Sequence, residues 1–373
     1  MQRLGRLLAA ATTVAACAVA VPAPAAEPRS PDPDRLSARL DDVAASGTVA
    51  AIAQVRDGRD TWRGVRGTSR LGTAQPPPWG SRFRIGSITK TFLATVVLQL
   101  VEEHRLRLDD PVARWLPDAV PNGRGITVRQ LLDHTSGLYD YRLTLTLPPS
   151  PGFLEYRWRT WTPQELVRRA VEQDPEPGPP PGSTFAYSNT NYLLLGEVVE
   201  AVTGRPYARE VERRVVEPLH LRHTSLPGAS PWIRGPHPHG YVPIRRDGQD
   251  RLVDLTAMNP TLFGAAGEMI STIPDLERFF AALLRGRLLG PRMLGEMTTP
   301  GTEHGTYGLG LAWRDTACGI RVYGNDGDAL TFQSWSFATA DARHQATVVV
   351  TPDFRGDPDA AVDAFLDDAF CGR

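Results

Sequence analysis

The 373-residue chain carries 41 Lys plus Arg against 42 Asp plus Glu, a net charge of −1, with 41% hydrophobic and 22% charged residues. These are the proportions of an ordinary soluble globular protein, and neither a basic stripe nor a charged tail marks the chain for nucleic acid or an anionic membrane. A small molecule or a peptide is the expected partner, and the length allows either several folding units or one large α/β body.

The N-terminus reads MQRLGRLLAAATTVAACAVAVPAPAAE: two arginines, an apolar run over residues 7–21, then small residues ending at Ala25 and Ala26. This is the pattern of a secretory signal peptide over residues 1–26, cleaved near Ala25 or Ala26, and it predicts a secreted, extracytoplasmic protein with no stable membrane insertion after cleavage. A membrane anchor competes with that reading, but the run is short and lacks a polar stop-transfer flank. Val14-Ala15-Ala16-Cys17 also looks loosely like a lipoprotein cleavage box, although apolar residues continue beyond the cysteine. Cleavage removes Cys17 and leaves Cys318 and Cys371, the number that one disulfide needs in an oxidising compartment. Both lie late in the chain, where a strand and a final helix could meet, so a bond between them is predicted.

After a Pro-rich leader, residues 35–46 read as a helix, and Asp57-Gly58 separates two strand-like runs, a hairpin signal. FRIG at 83–86 is a short extended segment. Beyond it Phe92, Val96, Val97, Leu100 and Val101 recur at helical spacing, which places Ser87 as the N-cap of a buried helix and Lys90 one turn later on the same face. Residues 105–260 read as mostly helical with Pro-rich connectors, and capping boxes begin at Thr127 and Thr162. The last hundred residues return to strand-like runs, GLAW, GIRVYG, FQSWSFA and ATVVVT, followed by a helix over 358–370. The expected fold class is α/β (α+β). One domain over 27–373 holds an antiparallel sheet built from both chain ends (27–86 and 265–373) and flanked by helices, with a mostly helical insertion over 87–264.

Lys90 is the only lysine in the chain; every other positive side chain is an arginine. Arginine cannot lose its proton near neutral pH, whereas a buried lysine can. An alcohol nucleophile must lose its proton as it attacks, and a neutral amine one helical turn away can take it. Ser87-Ile88-Thr89-Lys90 supplies that pair beside a helix N-terminus, whose N–H groups favour a developing oxyanion. Alone, S-x-x-K is a weak pattern. Two further stretches strengthen it: Tyr187-Ser188-Asn189 in a loop before a helix, and Asn325-Asp326-Gly327 after a strand-like run.

With these motifs, in order, go GSITKTF, LDDPV, LLDHTSGLYDY, AYSNTNYLLLG, AAGEMIST, YGLGL and a C-terminal FCG. From about residue 35 onward the chain resembles the penicillin-recognising serine hydrolases. The branch is that of class C β-lactamases, related esterases and, most similar, secreted D-alanyl-D-alanine carboxypeptidases. The resemblance implies a β-lactamase/transpeptidase-like fold, no cofactor, and an acyl-enzyme formed on cell-wall-type D-peptides such as a peptidoglycan precursor, with the protein a monomer. It implies Ser87 as nucleophile, Lys90 as proton acceptor, and Tyr187 as the proton shuttle to the leaving group, with nearby cationic charge lowering its phenol pKa. It implies Asn189 as the partner of the substrate's amide carbonyl, and the backbone N–H groups of Ser87 and Asp328, across Gly327, as the oxyanion hole.

The third motif departs from the pattern. His or Lys, then Thr or Ser, then Gly is usual; here Asn325-Asp326-Gly327-Asp328 has no cation. Two inward aspartates would repel a free C-terminal carboxylate, at roughly 4 kcal/mol for a pair about 4 Å apart at an effective dielectric near 20. Carboxypeptidase relatives carry an arginine near Ala312, a place Arg314 could take. An amidase, esterase or D-aminopeptidase therefore fits this motif better, a β-lactamase is a further alternative, and a low-turnover penicillin- or peptide-binding sensor is the alternative of another class. His134 reads as structural. No metal is expected, because His237 and His239 sit in a Pro-rich loop and His220 and His223 lack a carboxylate or cysteine set. No G-x-S-x-G nucleophile elbow occurs.

Overall fold

The computed structural model describes residues 31–173, 179–302 and 305–372, so the leader read at residues 1–26 lies outside the described residues. Helix α1 (Pro33–Ala45) starts with proline in its first turn, and the Asp32 carboxylate accepts the N–H groups of Asp34 and Arg35. Strands β1 (Thr48–Asp57) and β2 (Asp60–Gly67) form the expected hairpin, with Gly58 at a positive φ in the turn. The two-residue strand β3 (Phe83–Arg84) leads into α2 (Ile88–Glu102).

The middle of the chain contributes α3 (Val112–Trp115), α4 (Val128–Leu132), α5 (Pro163–Glu172), α6 (Asn189–Thr203) and α7 (Tyr207–Val211). The Thr127–Gln130 capping box that opens α4 is present in both directions. At α5 only half of the expected box forms: Thr162 caps Glu165, whose own carboxylate turns to Arg159. The stretch read as mostly helical also contains a hairpin, β4 (Tyr241–Arg246) and β5 (Gln249–Asp254), turning at Asp247-Gly248. That Asp-Gly pair is itself a turn signal, obscured by the arginines and aspartates around it.

The chain then adds β6 (Ile270–Ser271), α8 (Ile273–Leu284), α9 (Pro291–Met297), strands β7 (Ala312–Asp315), β8 (Arg321–Asp328), β9 (Gln333–Thr339) and β10 (His344–Pro352), and the final α10 (Asp359–Cys371). Six strands make one antiparallel sheet in the order β2-β1-β10-β9-β8-β7. The first and last strands of the chain thus pair inside the sheet, as its second and third members. Side-chain alternation splits the core in two. Val348 and Val350 of β10 pack with Leu36, Leu40, Phe365 and Leu366 under α1 and α10, while Val349 faces the larger cluster containing α2 and α8.

Helix α2 is buried nearly all round, with twelve of its fifteen residues enclosed, so it is a core pole rather than a surface amphipath. Phe92 on α2 stacks on Phe279 of α8 with centroids 3.7 Å apart, fixing the pole against its neighbour. The predicted disulfide is present: Cys318, between β7 and β8, bonds Cys371 at the end of α10, with Cα atoms 5.9 Å apart. Among the described residues no helix is long and apolar enough to cross a membrane.

Candidate active site

Ser87 does not cap its helix. It already adopts right-handed helical dihedrals and makes no side-chain capping bond. The first N–H groups are taken instead by a tight turn, Ile88 N to Ile85 O at 3.2 Å and Thr89 N to Gly86 O at 3.0 Å. The serine oxygen is therefore free of structural duty. Lys90, fully buried, places its Nζ 2.9 Å from Ser87 Oγ, 2.8 Å from Asn189 Oδ1 and 2.8 Å from the Ala266 carbonyl.

All three partners of the amine are uncharged oxygens. Burial pushes the Lys90 pKa down from 10.5 to about 7; Asp140 and then Asp326 pull it back up, and Arg142 adds to the depression. A neutral amine has two hydrogens and one lone pair, which matches this nest. The hydrogens go to Asn189 Oδ1 and Ala266 O, leaving the lone pair to receive the Ser87 hydroxyl proton. The orientation of the Asn189 amide follows from its other end, where Nδ2 donates to Asp140 Oδ2 at 2.8 Å, an atom of a carboxylate that accepts only. One N–H of that amide is left for a substrate carbonyl.

On the other side of the serine, the Tyr187 hydroxyl donates to Ser87 Oγ at 2.7 Å. Tyr187 keeps 41% of its surface open to the cleft, yet the surrounding protein crowds the phenol and pushes its pKa well above 10, with Tyr307 adding to the rise. This corrects the expectation of a phenol lowered by positive charge. Burial of the phenol is the largest cause, Tyr307, Asp326 and Asp140 add to it, and only the hydrogen bond to Ser87 opposes the rise. Tyr187 therefore rests as a proton donor.

The third motif continues β8. A Cβ on Gly86, which sits at φ +50, would lie 2.6 Å from Asp328 O, and one on Gly327 would lie 2.0 Å from Ile85 O and 3.1 Å from Ser87 N. Only bare backbone lets β8 lie this close to the nucleophile's turn, and the N–H groups of Ser87 and Asp328 are brought to the cleft together. Asn325 faces inward, is buried, and donates to Thr91 Oγ1 at 3.1 Å, so it braces α2 from behind the cleft wall instead of lining it. Asp326 stands exposed at the rim, where its charge reaches Lys90 and Tyr187; partial enclosure raises its carboxyl above the ordinary value, opposed by Lys90 and reinforced by Asp328.

Two expectations fail here. The Asp328 carboxylate accepts the Leu330 N–H at 2.6 Å, so it closes a turn and does not point at a ligand. Arg314 does not replace the missing arginine, because its guanidinium lies on the α10 face of the sheet, paired with Asp363 and Asp367.

His134, read as structural, holds the tyrosine loop in place. It follows α4 at φ +59. Its carbonyl accepts Ala186 N at 2.8 Å, its Nδ1 accepts Ser188 N at 3.2 Å, and its ring lies 4.2 Å from that of Tyr187 between them. Burial, with Lys90 next, lowers its pKa well below 6.5, which keeps Nδ1 an acceptor. Sequence reading missed Asp140 and the Ala266 carbonyl; both lie inside the quoted LLDHTSGLYDY and AAGEMIST runs, but only the fold shows that they meet the amine.

Residues 36–370 match the family described as Beta-lactamase. The chain belongs to the beta-lactamase family. Its fold is the serine-hydrolase fold of the beta-lactamase and penicillin-binding-protein type. A D-stereospecific amidohydrolase from a Streptomyces species is 42% identical with a TM-score of 0.82, covering 92% of this chain and all of the other. A D-amino acid amidase from Ochrobactrum anthropi SV3 is 27% identical with a TM-score of 0.77, over 90% of this chain and 97% of its own. The Bacillus subtilis (strain 168) protein PbpX is 29% identical over 278 residues, 74% of this chain; the match spans 64% of that relative's length.

Two measurements probe the site. With Lys90 as the base, kcat/KM for an activated ester rises with pH through about 7, as the amine loses its proton, and then levels; Lys90→Arg, which cannot deprotonate, lowers acylation by a fluorophosphonate by roughly 10²–10⁴-fold. His134→Ala, which loosens the tyrosine loop without touching the amine, lowers kcat by about 10²-fold and leaves the pH midpoint near 7 and KM nearly unchanged.

Proposed function

We propose that the protein is a serine amidohydrolase acting on D-amino acid amides, or on short peptides with a free N-terminal D-residue. The observation that carries this reading is the charge of the cleft rim. Asp326 places a negative charge there, the third motif has no cation, and Arg314 is engaged on the other face of the sheet. An ammonium group is attracted to such a rim and a free carboxylate is repelled, by roughly 1.5–3 kcal/mol for one charged contact with a side chain that stays open to solvent. The D-stereospecific amidohydrolase and D-amino acid amidase relatives support both the amide bond and the hand of the substrate. Action on D-alanyl termini with a free carboxylate, the default of the wider family, is less well supported by this wall.

In this reading Ser87 Oγ attacks the amide carbonyl as its proton passes to Lys90, and the oxyanion takes the N–H groups of Ser87 and Asp328. Tyr187 gives a proton to the departing ammonia or amine. Lys90 then hands the serine's proton on to Tyr187, so both return to their uncharged forms; water enters, gives a proton to Lys90 as it attacks the acyl carbon, and Lys90 passes that proton to Ser87 Oγ as the ester bond breaks and the free acid leaves.

The test compares D-phenylalanine amide, its L enantiomer, N-acetyl-D-phenylalanine amide and an acyl-D-Ala-D-Ala peptide. The free D-amide is expected to be the best substrate by kcat/KM. N-acetylation, or Asp326→Asn with the free amide, is expected to reduce kcat/KM by roughly 10–100-fold through loss of one charged hydrogen bond. Faster turnover of acyl-D-Ala-D-Ala would overturn the assignment.

We further propose that the mature protein works outside the cytoplasm. The leader over residues 1–26 supports this, as does the Cys318–Cys371 bond, since disulfides persist in oxidising compartments. When the full chain is expressed, protein recovered from the culture fluid is expected to begin at Ala26 or Glu27 on N-terminal sequencing. Retention in the cytoplasm with Met1 intact would refute it.

A further inference from the structure

Behind β3, the molecule has a second concave feature that takes no part in the chemistry above. A hollow of about 330 Å³ is lined by Arg82, Arg222, Arg234, His223, Ser230 and Trp232 among others, and no lining residue is acidic. It shares Arg222 and His223 with a shallower groove of about 780 Å³ that adds Arg278 and Asp275. Along both, the only carboxylate is Asp275, and it is already engaged: its Oδ2 accepts His223 N at 2.8 Å and Thr224 Oγ1 at 3.1 Å, and its Oδ1 pairs with Arg278 at 3.4 Å.

Among the described residues, Arg82, Arg222 and Arg234 have no carboxylate within 4.0 Å. Arg82 is held in place by neutral groups, donating to His223 Nδ1 at 2.9 Å and to the Arg234 carbonyl. Because Arg82 can only donate, the His223 ring proton sits on Nε2, a further donor on the same wall. Trp232, 62% exposed, gives the hollow an apolar flank.

We infer that this hollow is a second binding site, for a phosphate-bearing ligand whose phosphoryl oxygens lie among Arg82, Arg222 and Arg234 while Trp232 covers the attached organic group. Three guanidinium groups on one small concavity carry three positive charges, and a carboxylate answers them with one negative charge and two oxygens. A phosphoryl group offers three oxygens and up to two negative charges, which suit Arg222, Arg234 and the N–H groups that Arg82 has left after its bonds to His223 and the Arg234 carbonyl. The site is separate from the acylation cleft but near it: Arg82 and Ser87 are five residues apart, so their Cα atoms lie at most about 18 Å from each other. It rests on residues that the proposed amidase reading does not use, so each can fail without the other.

The test is isothermal titration of the mature chain, at constant ionic strength, with orthophosphate, glycerol 3-phosphate, dimethyl phosphate and acetate. Saturable binding of glycerol 3-phosphate is expected, with acetate at least tenfold weaker; binding of dimethyl phosphate as well would identify a diester as the source of the phosphoryl group, and its failure a monoester. The double variant Arg222→Gln/Arg234→Gln, both at exposed positions, is expected to lose at least tenfold in affinity while its circular dichroism and its turnover of a small ester stay those of the parent. Acetate binding as well as the phosphates, absence of saturation by any phosphate, or undiminished binding by the double variant would each overturn the inference.

Discussion

The constraint on which this structure turns is the burial of a single amine among uncharged oxygens. A lysine enclosed with no carboxylate in contact is costly as an ammonium ion, by several kcal/mol per buried charge, and the protein meets that cost by letting the amine lose its proton. Much of the architecture serves this placement. Helix α2 is buried nearly all round, stacked on α8 through Phe92 and Phe279, and pressed on by the start of α6, which brings Asn189 to the amine. Were the pole half-exposed, water would solvate the amine and its proton would stay.

Around the amine the two hydroxyls are divided by environment. Lys90 and Tyr187 are both pushed by enclosure toward their uncharged forms, which for one is a base and for the other an acid. The same physical cause thus supplies both partners of Ser87 in complementary states. Distant acids temper it: Asp140, held by the Asn189 amide, and Asp326 at the rim keep the lysine near neutrality instead of letting it fall further. His134 then decides whether the tyrosine stays in register, since it contacts the chain on both sides of that residue.

Features set by near neighbours in sequence were legible there. The Asp57-Gly58 hairpin, the Thr127 capping box, the 3.6-residue recurrence after Ser87 and the pairing of the two late cysteines all appear as read. What escaped depends on which side chains are enclosed once distant segments meet. The direction of the Tyr187 shift follows from crowding by Tyr307 and its surroundings, not from adjacent residues. Whether Arg314 reached the cleft turned on which sheet face it occupies, and the acids of α10, about fifty residues later, claim it. Asp328 could be read as a cleft acid until its bond to Leu330 showed it to be part of a turn. The arginine hollow assembles residues 82, 222 and 234, which no local pattern links.

The alternation of β8 has a wider consequence. Asn325 points in and steadies α2, while Asp326, the very next residue, points out and meets whatever enters. Neighbouring positions on one strand therefore answer to different demands, one to the integrity of the reaction centre and one to the charge of the guest. A lineage can exchange the outward side chain and acquire a new preference without disturbing the hydroxyl and amine beneath it. Such separation allows a single scaffold to diversify among acyl donors by small steps.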